Sequence, residues 1–144
     1  KNFQKTKNLL VTNSDLYGLL PFIELHTFHL LENNDFTTAV KSHIIKNPFG
    51  VVDMENGHVK KIVEKPNWQT FINAGMYALG PNAIEFIRNN NYPMMDKVIN
   101  GLVDNSFKVK AFALHEEWLD VGDINALNKA RLKYGSSNDE NARL

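Results

Sequence analysis

The segment Trp118-Leu119-Asp120-Val121-Gly122-Asp123 constrains the fold more than any other stretch, because it sets an aromatic anchor, a carboxylate and a glycine turn directly before a helix. Asp120 falls where a strand should end. Val121 and Gly122 turn the chain, Asp123 is placed to cap the free N–H groups of the next helix, and Ile124, Leu127, Ala130 and Tyr134 recur at helical spacing behind it. A carboxylate at the C-terminal edge of a strand lies on the side of an open α/β sheet where ligands bind. Asn13-Ser14-Asp15 has the same character, since the strand-like run Leu9 to Thr12 ends in an aspartate and a glycine-containing loop. Two carboxylates at the ends of neighbouring strands can converge on one hard cation. Asp120 also reads as a plain turn residue with no metal role, so the pairing with Asp15 needs a wider pattern.

The rest of the chain alternates strand and helix signals. Leu9-Leu10-Val11 is apolar without alternation, which predicts a central strand covered on both faces. Pro21 suits a first helical turn, and Ile23, Phe28, Leu30 and Leu31 predict the apolar side of a helix running to about Asn33. Phe36 to Ser42, rich in Thr and Val, predicts a strand. Phe49 to Met54 and His58 to Glu64 flank Glu55-Asn56-Gly57, whose Asn-Gly step predicts a tight hairpin projecting from the sheet. Phe71 to Leu79 predicts a strand interrupted at Asn73-Ala74-Gly75, either a plain bulge or a place where small residues let backbone approach a ligand. Helices follow from Pro81, with Ile84 and Ile87 inward, and from Met95 to Asp104, then a strand over Lys108 to Leu114 with Val109 and Phe112 in the core. Residues 135–144 open on a polar, aperiodic run and read as a flexible tail or linker, leaving 1–134 as one domain.

Sixteen basic residues balance sixteen acidic ones, which removes the electrostatic case for nucleic acid or an anionic membrane as partner. Any phosphate must therefore be held locally. A chain without cysteine has no disulfide framework and no thiolate zinc site, as suits a cytoplasmic protein. His26 and His29 lie one helical turn apart, yet no motif places a third zinc ligand, and packing or exposure explains them more simply. The chain starts without methionine, a few residues before a buried-type strand, and the expectation is that the first part of a longer protein precedes it.

Glu64-Lys65-Pro66 closes the hairpin, and proline there predicts an extended exit that points Glu64 and Lys65 outward. A carboxylate accepts from sugar hydroxyls and an ammonium pairs a phosphate, although a solvated lysine with a carboxylate neighbour is the commoner meaning of such a pair. Order makes the tripeptide informative. Asn13-Ser14-Asp15, Pro48-Phe49-Gly50-Val51-Val52, Glu64-Lys65-Pro66, Asn73-Ala74-Gly75-Met76-Tyr77 and Trp118-Leu119-Asp120-Val121-Gly122 follow one another along the chain. This series resembles the sugar-1-phosphate nucleotidylyltransferase family, the enzymes that make nucleotide-diphosphate sugars, from about Leu9 to Tyr134.

The resemblance implies an α/β fold with a mixed, mostly parallel Rossmann-like sheet of the nucleotide-diphospho-sugar transferase type, partial here. It implies that Asp15 and Asp120 hold a catalytic Mg2+, with Lys65 also in the catalytic set, and that Gly50, Glu64, Lys65, Asn73 and Gly75 bind the sugar 1-phosphate. The implied reaction is attack by a sugar-1-phosphate oxygen on the α-phosphorus of a nucleoside triphosphate, with loss of pyrophosphate; positioning and charge neutralisation do most of that work. Two departures stand out. Ser14 occupies a position where the family usually has glycine, and the family's N-terminal glycine-rich signature, which grips the triphosphate, occurs nowhere in the sequence. The expectation is therefore a C-terminal, sugar-phosphate-binding part that is inactive alone and self-associates, as a homo-oligomer or otherwise, through uncovered strand edges. The alternative is a non-catalytic sugar-phosphate-binding or regulatory module of the same fold. A nucleotide-sugar-using glycosyltransferase is a third reading, against which the Glu64-Lys65-Pro66 and Asn73-Ala74-Gly75 pair argues.

Overall fold

A computed structural model describes residues 8–134. The elements run β1 (Leu9–Thr12), β2 (Leu16–Gly18), α1 (Phe22–Leu31), β3 (Phe36–Lys46), β4 (Val51–Glu55), β5 (His58–Val63), β6 (Asn67–Leu79), α2 (Pro81–Asn90), α3 (Met95–Asp104), β7 (Val109–Ala113), β8 (Trp118–Asp120) and α4 (Ile124–Tyr134). The main sheet has the order β1-β6-β3-β7, and β2 with β8 and β4 with β5 form separate two-stranded ladders. The fold is thus the expected mixed α/β arrangement. Its sheet is not mostly parallel among the described residues: β6 runs antiparallel to both β1 and β3, and β3 with β7 is the parallel pair. The cause is that β3 returns to its own neighbour β6 through the hairpin arm, which forces the two to run in opposite directions.

Alternation along β6 divides the core. Ala74, Met76 and Ala78 pack on one face with Leu25 of α1, Ala39 and Leu114, while Tyr77 and Leu79 pack on the other with Phe36, Ala83, Val98 and Leu102 of α2 and α3. The sheet therefore lies between α1 on one side and α2 and α3 on the other, and Ile84 and Ile87 face it as expected.

Two sequence expectations fail here. Among the described residues β1 is an edge strand of the main sheet, not a central one, and Leu9 and Leu10 are 43% and 38% exposed. Its one described partner is β6, so the apolar run marks an uncovered edge. In α1 the buried positions are Leu25 and His29, while Ile23 and Leu31 point outward at 79% and 81% exposure. The helix is apolar almost all round, so spacing alone cannot select its inner face. His29 is tolerated inside because its Nδ1 meets Thr37 Oγ1 at 2.9 Å, and Asn34 Nδ2 donates to the same hydroxyl at 3.1 Å. Burial, then the charge of His26, pushes the His29 imidazole below its ordinary pKa, against a smaller opposing pull from Asp35.

The hairpin is built as the Asn56-Gly57 step requires. Both turn residues have positive φ, 50° and 82°, and Glu55 pairs directly with His58. The exit is different: Lys65 has φ 45°, so the chain bends sharply at the Glu64-Lys65 step instead of leaving extended. The chain must turn there from β5 into β6, and the bond from Asn47 N–H to the Pro66 carbonyl (3.1 Å) fixes the end of that turn. The tail expected at residues 135–144 lies outside the described residues.

Candidate functional site

The site is organised by an irregularity in β6. Between the pairs Thr38↔Tyr77 and Val40↔Asn73 the ladder passes one residue on β3 but Ala74, Gly75 and Met76 on β6, so the Asn73-Ala74-Gly75 segment bulges out of the sheet. Gly75 takes φ 72°, and a Cβ there would lie 2.7 Å from Asn13 Nδ2, so only glycine lets the Asn13 side chain seat itself against the bulge. The Asn13 N–H donates to the Gly75 carbonyl (2.8 Å), and the Trp118 indole Nε1–H donates to the Ala74 carbonyl (2.9 Å). Two consecutive bulge carbonyls thus hold the segments that carry Asp15 and Asp120.

Those two carboxylates come together. Leu16 pairs with Asp120 across the β2–β8 ladder, and the Val121 N–H donates to the Asp15 carbonyl at 2.8 Å. A Cβ placed on Gly122 would lie 3.0 Å from Asp120 Oδ1 and 3.2 Å from Asp15 Oδ2, so both side chains border the same small space. Gly122 N–H donates to Asp120 Oδ1 (2.9 Å), and Asp123 Oδ1 caps α4 through the N–H groups of Asn125 (2.7 Å) and Ala126 (2.8 Å), as its position predicts. Asp15 Oδ1 is buried and has no hydrogen-bond partner. A buried carboxylate oxygen without a donor is costly unless a cation or water completes it, so the residues present fit a hard divalent ion. Among the described residues no cluster of three or more His, Cys, Asp or Glu side chains surrounds a single point. Two carboxylates with the remaining positions left to water and phosphate is the usual manner of Mg2+ binding.

Asn73 lies on the bulge with both ends of its amide engaged. Its Nδ2 donates to Tyr77 Oη (2.7 Å), and its Oδ1 accepts from the Gly75 N–H (3.0 Å) and, weakly, from Thr38 Oγ1 (3.4 Å). The second Nδ2 hydrogen remains for a ligand. Burial raises the Tyr77 phenol above its ordinary pKa, and the bond from Asn73 works in the opposite direction. Tyr77 closes the motif Asn73-Ala74-Gly75-Met76-Tyr77 without a role of its own in the sequence reading, although Asn73 and Tyr77 share strand parity and so face the same side.

Gly50, Glu64 and Lys65 form a second group at the base of the hairpin. A Cβ on Gly50 would lie 2.9 Å from Glu64 Oε2, so the absence of a side chain at Gly50 gives the Glu64 carboxylate its place. Lys65 is exposed in its left-handed backbone conformation. Among the described residues, no hydrogen bond or ion pair joins Glu64 or Lys65 to the Asp15–Asp120 group; the β3–β6 ladder connects the two. Phe49 is 73% exposed, whereas Trp118 packs against the core.

Residues 1–137 match the family model described as nucleotidyl transferase. A probable mannose-1-phosphate guanylyltransferase 2 of Oryza sativa subsp. japonica is 34% identical over 78% of this chain and 32% of its own length. The mannose-1-phosphate guanylyltransferase catalytic subunit beta of Dictyostelium discoideum is 30% identical over the same shares. The chain therefore spans about a third of the length of the curated relatives it matches. Among solved structures, a putative glucose-1-phosphate thymidylyltransferase from Bacillus anthracis superposes with a TM-score of 0.61 at 16% identity, over 88% of this chain and 54% of the other. HddC from Yersinia pseudotuberculosis gives 0.58 at 24%, over 92% and 57%. These likenesses show the fold. With the family model covering almost its whole length, the chain belongs to the nucleotidyl transferase family, the sugar-1-phosphate nucleotidylyltransferases that its ordered motifs resemble.

Proposed function

We propose that these residues form the acceptor and cation side of a nucleotidyltransferase that joins a nucleoside triphosphate to a sugar 1-phosphate, releasing pyrophosphate. The observation that carries the reading is the convergence of Asp15 and Asp120 beside Gly122, with one Asp15 oxygen buried and unpartnered. Asp15 and Asp120 would hold Mg2+, which when bound offsets the negative charge gathered on the reacting phosphates. Lys65 would pair the sugar phosphate as a point charge, and Glu64, seated against Gly50, would accept from sugar hydroxyls. Asn73, its amide plane fixed by Tyr77 and Gly75, would donate its remaining hydrogen to the same ligand. No strong base is needed, because the attacking phosphate oxygen is already anionic and correct placement lowers most of the barrier.

The curated relatives named above make mannose 1-phosphate and GTP the first substrates to try, within a panel of sugar 1-phosphates and the four common triphosphates. The triphosphate grip belongs to a glycine-rich signature that this sequence lacks, so the proposal assigns it to another part of the whole protein and expects residues 1–144 to be inactive alone. We place the reaction in the cytoplasm. The edge of β1, with Leu9 and Leu10 exposed, is the surface through which the chain would associate with a second copy.

The test is pyrophosphate release by the whole protein. Asp15→Asn and Asp120→Asn should each lower turnover far more than they lower folding stability. Equal losses of both would mean structural aspartates, and binding of sugar 1-phosphate without any turnover would favour the regulatory module.

A further inference from the structure

Asp120 lies on the β2–β8 ribbon and Asp15 immediately before it, and this ribbon shares no ladder with the four-stranded sheet among the described residues. On the Asp15 side the β1–β6 ladder runs to Thr12↔Met76 and the bond from Asn13 N–H to Gly75 continues it; on the Asp120 side the bond from Trp118 Nε1–H to Ala74, two residues before the carboxylate, ties the ribbon to the bulge. The bulge makes this geometry available, because on the β3 side Ala74, Gly75 and Met76 stand opposite Ala39 alone, which takes the Ala74 backbone out of the regular β3–β6 ladder. Trp118 and Asp120, two apart on one strand, project to the same side of the ribbon.

We infer that Trp118 is a positioning residue for the cation pair: its indole N–H, tied to the Ala74 carbonyl, anchors the strand end that carries Asp120 to the bulge and so completes the placement that the Leu16–Asp120 pairing and the Val121–Asp15 bond begin. The inference rests on the reading of those aspartates as cation ligands. The Trp118 ring also packs against the cluster of Leu25, Ala39, Ala74 and Met76, but apolar contact is non-directional and does not hold a strand end to within tenths of an ångström. Without the indole N–H, the carbonyl of fully buried Ala74 loses this donor and the ribbon loses a side-chain bond to β6.

The test compares Mn2+ affinity, read by water-proton relaxation on the 144-residue chain, for the parent, Trp118→Phe and Asp120→Asn. Phenylalanine keeps most of the ring and removes the donor. Affinity should fall on the order of ten-fold in Trp118→Phe, the scale seen when groups that orient metal ligands are lost, with cooperative melting retained, and further in Asp120→Asn. A folded Trp118→Phe chain with unchanged affinity overturns the inference. Should that variant fail to fold, benzothienylalanine at 118 makes the same comparison, with sulfur replacing N–H in a ring of the same shape. Hydrogen exchange of the two indoles gives a readout independent of metal: the Trp118 N–H should exchange more slowly than that of Trp68, which is 47% exposed. Equal exchange rates overturn the strut itself. A parent chain that binds no Mn2+ while its Trp118 indole stays protected overturns the cation reading, and the positioning role with it, while leaving the bond intact, so the two failures are told apart.

Discussion

Gly122→Ala separates what the site needs from what the fold needs. The backbone of Gly122 is outside the positive-φ region that disfavours other residues, so alanine is conformationally allowed and, by narrowing the unfolded ensemble, adds about 0.4–1 kcal/mol of stability. Against this, its methyl would lie 3.0 Å from Asp120 Oδ1 and 3.2 Å from Asp15 Oδ2, and both oxygens must recede by a few tenths of an ångström. Global stability should change by less than about 1 kcal/mol, because the two effects oppose each other. The cation site has no such compensation. Ligand groups need placement within about 0.5 Å, and two outward shifts together use most of that tolerance, so affinity should drop about ten-fold, or roughly 1.4 kcal/mol. Urea unfolding with and without Mn2+ reads both quantities. At a Mn2+ concentration one hundred times the parent dissociation constant, the ion should stabilise the parent by about 2.7 kcal/mol and the variant by about 1.4. Equal stabilisation of the two chains would refute the claim that both carboxylates face the space beside Gly122.

Thr37→Val replaces a buried hydroxyl by a methyl and leaves both Asn34 Nδ2 and His29 Nδ1 without their partner, so urea unfolding should show a loss of about 2–4 kcal/mol; a loss below about 1 kcal/mol would mean the polar cluster is not satisfied by that hydroxyl. His29 has its folded-state pKa below the ordinary histidine value of about 6.5, so the unfolded chain takes up this proton more readily, the stabilising effect of the neutral ring is complete above about pH 6.5, and it is lost as pH falls through the folded-state pKa. Stability measured from pH 7.5 to 5 should decline more steeply in the parent than in His29→Gln, and parallel curves would remove His29 as the cause. Lys65→Gly should relieve a left-handed backbone at φ 45°, raising stability by up to about 1 kcal/mol, while weakening binding of sugar 1-phosphate; Lys65→Ala should weaken binding equally without the gain. Unchanged acceptor affinity in both would remove Lys65 from the pocket.

What the sequence disclosed depended on whether a local signal had competitors. Asn56-Gly57 specified its hairpin because no other two-residue turn suits that spacing, and Asp123 specified the start of α4 because an aspartate before a periodic run has few other roles. In α2 the inward Ile84 and Ile87 were legible since the helix's apolar residues, with Ala83 and Phe86 among them, gather on one side and Asn82, Glu85, Arg88, Asn89 and Asn90 occupy the rest. In α1 almost every position is apolar or histidine, so the choice of Leu25 and His29 over Ile23 and Leu31 was made by tertiary partners, Thr37 above all, that lie on another element. The edge position of β1 was hidden for a related reason. An unbroken apolar run records that a strand is meant to be covered on both faces, and says nothing of which covering segments lie within the chain.

The site follows the same logic at finer scale. Asp15 and Asp120 could be paired only through the ordered motifs, because 105 residues of sequence separate them and no spacing rule links two strand ends so far apart. Their actual coupling runs through backbone groups, the Val121 N–H on the Asp15 carbonyl and the carbonyls of Ala74 and Gly75, which every residue possesses and which leave no mark in a sequence. The bulge therefore explains why small residues stand beside Asn73: Gly75 makes room for the Asn13 side chain, Ala74 sits fully buried under Trp118, and Asn73 is left at the rim with one hydrogen to offer. The segment is a bulge, and the irregularity that leaves Asn73 exposed is the same one whose carbonyls hold the segments bearing the two carboxylates. Perturbing its backbone must then move the Asn73 amide and the Asp15 and Asp120 carboxylates together, so the two groups cannot be shifted independently through β6.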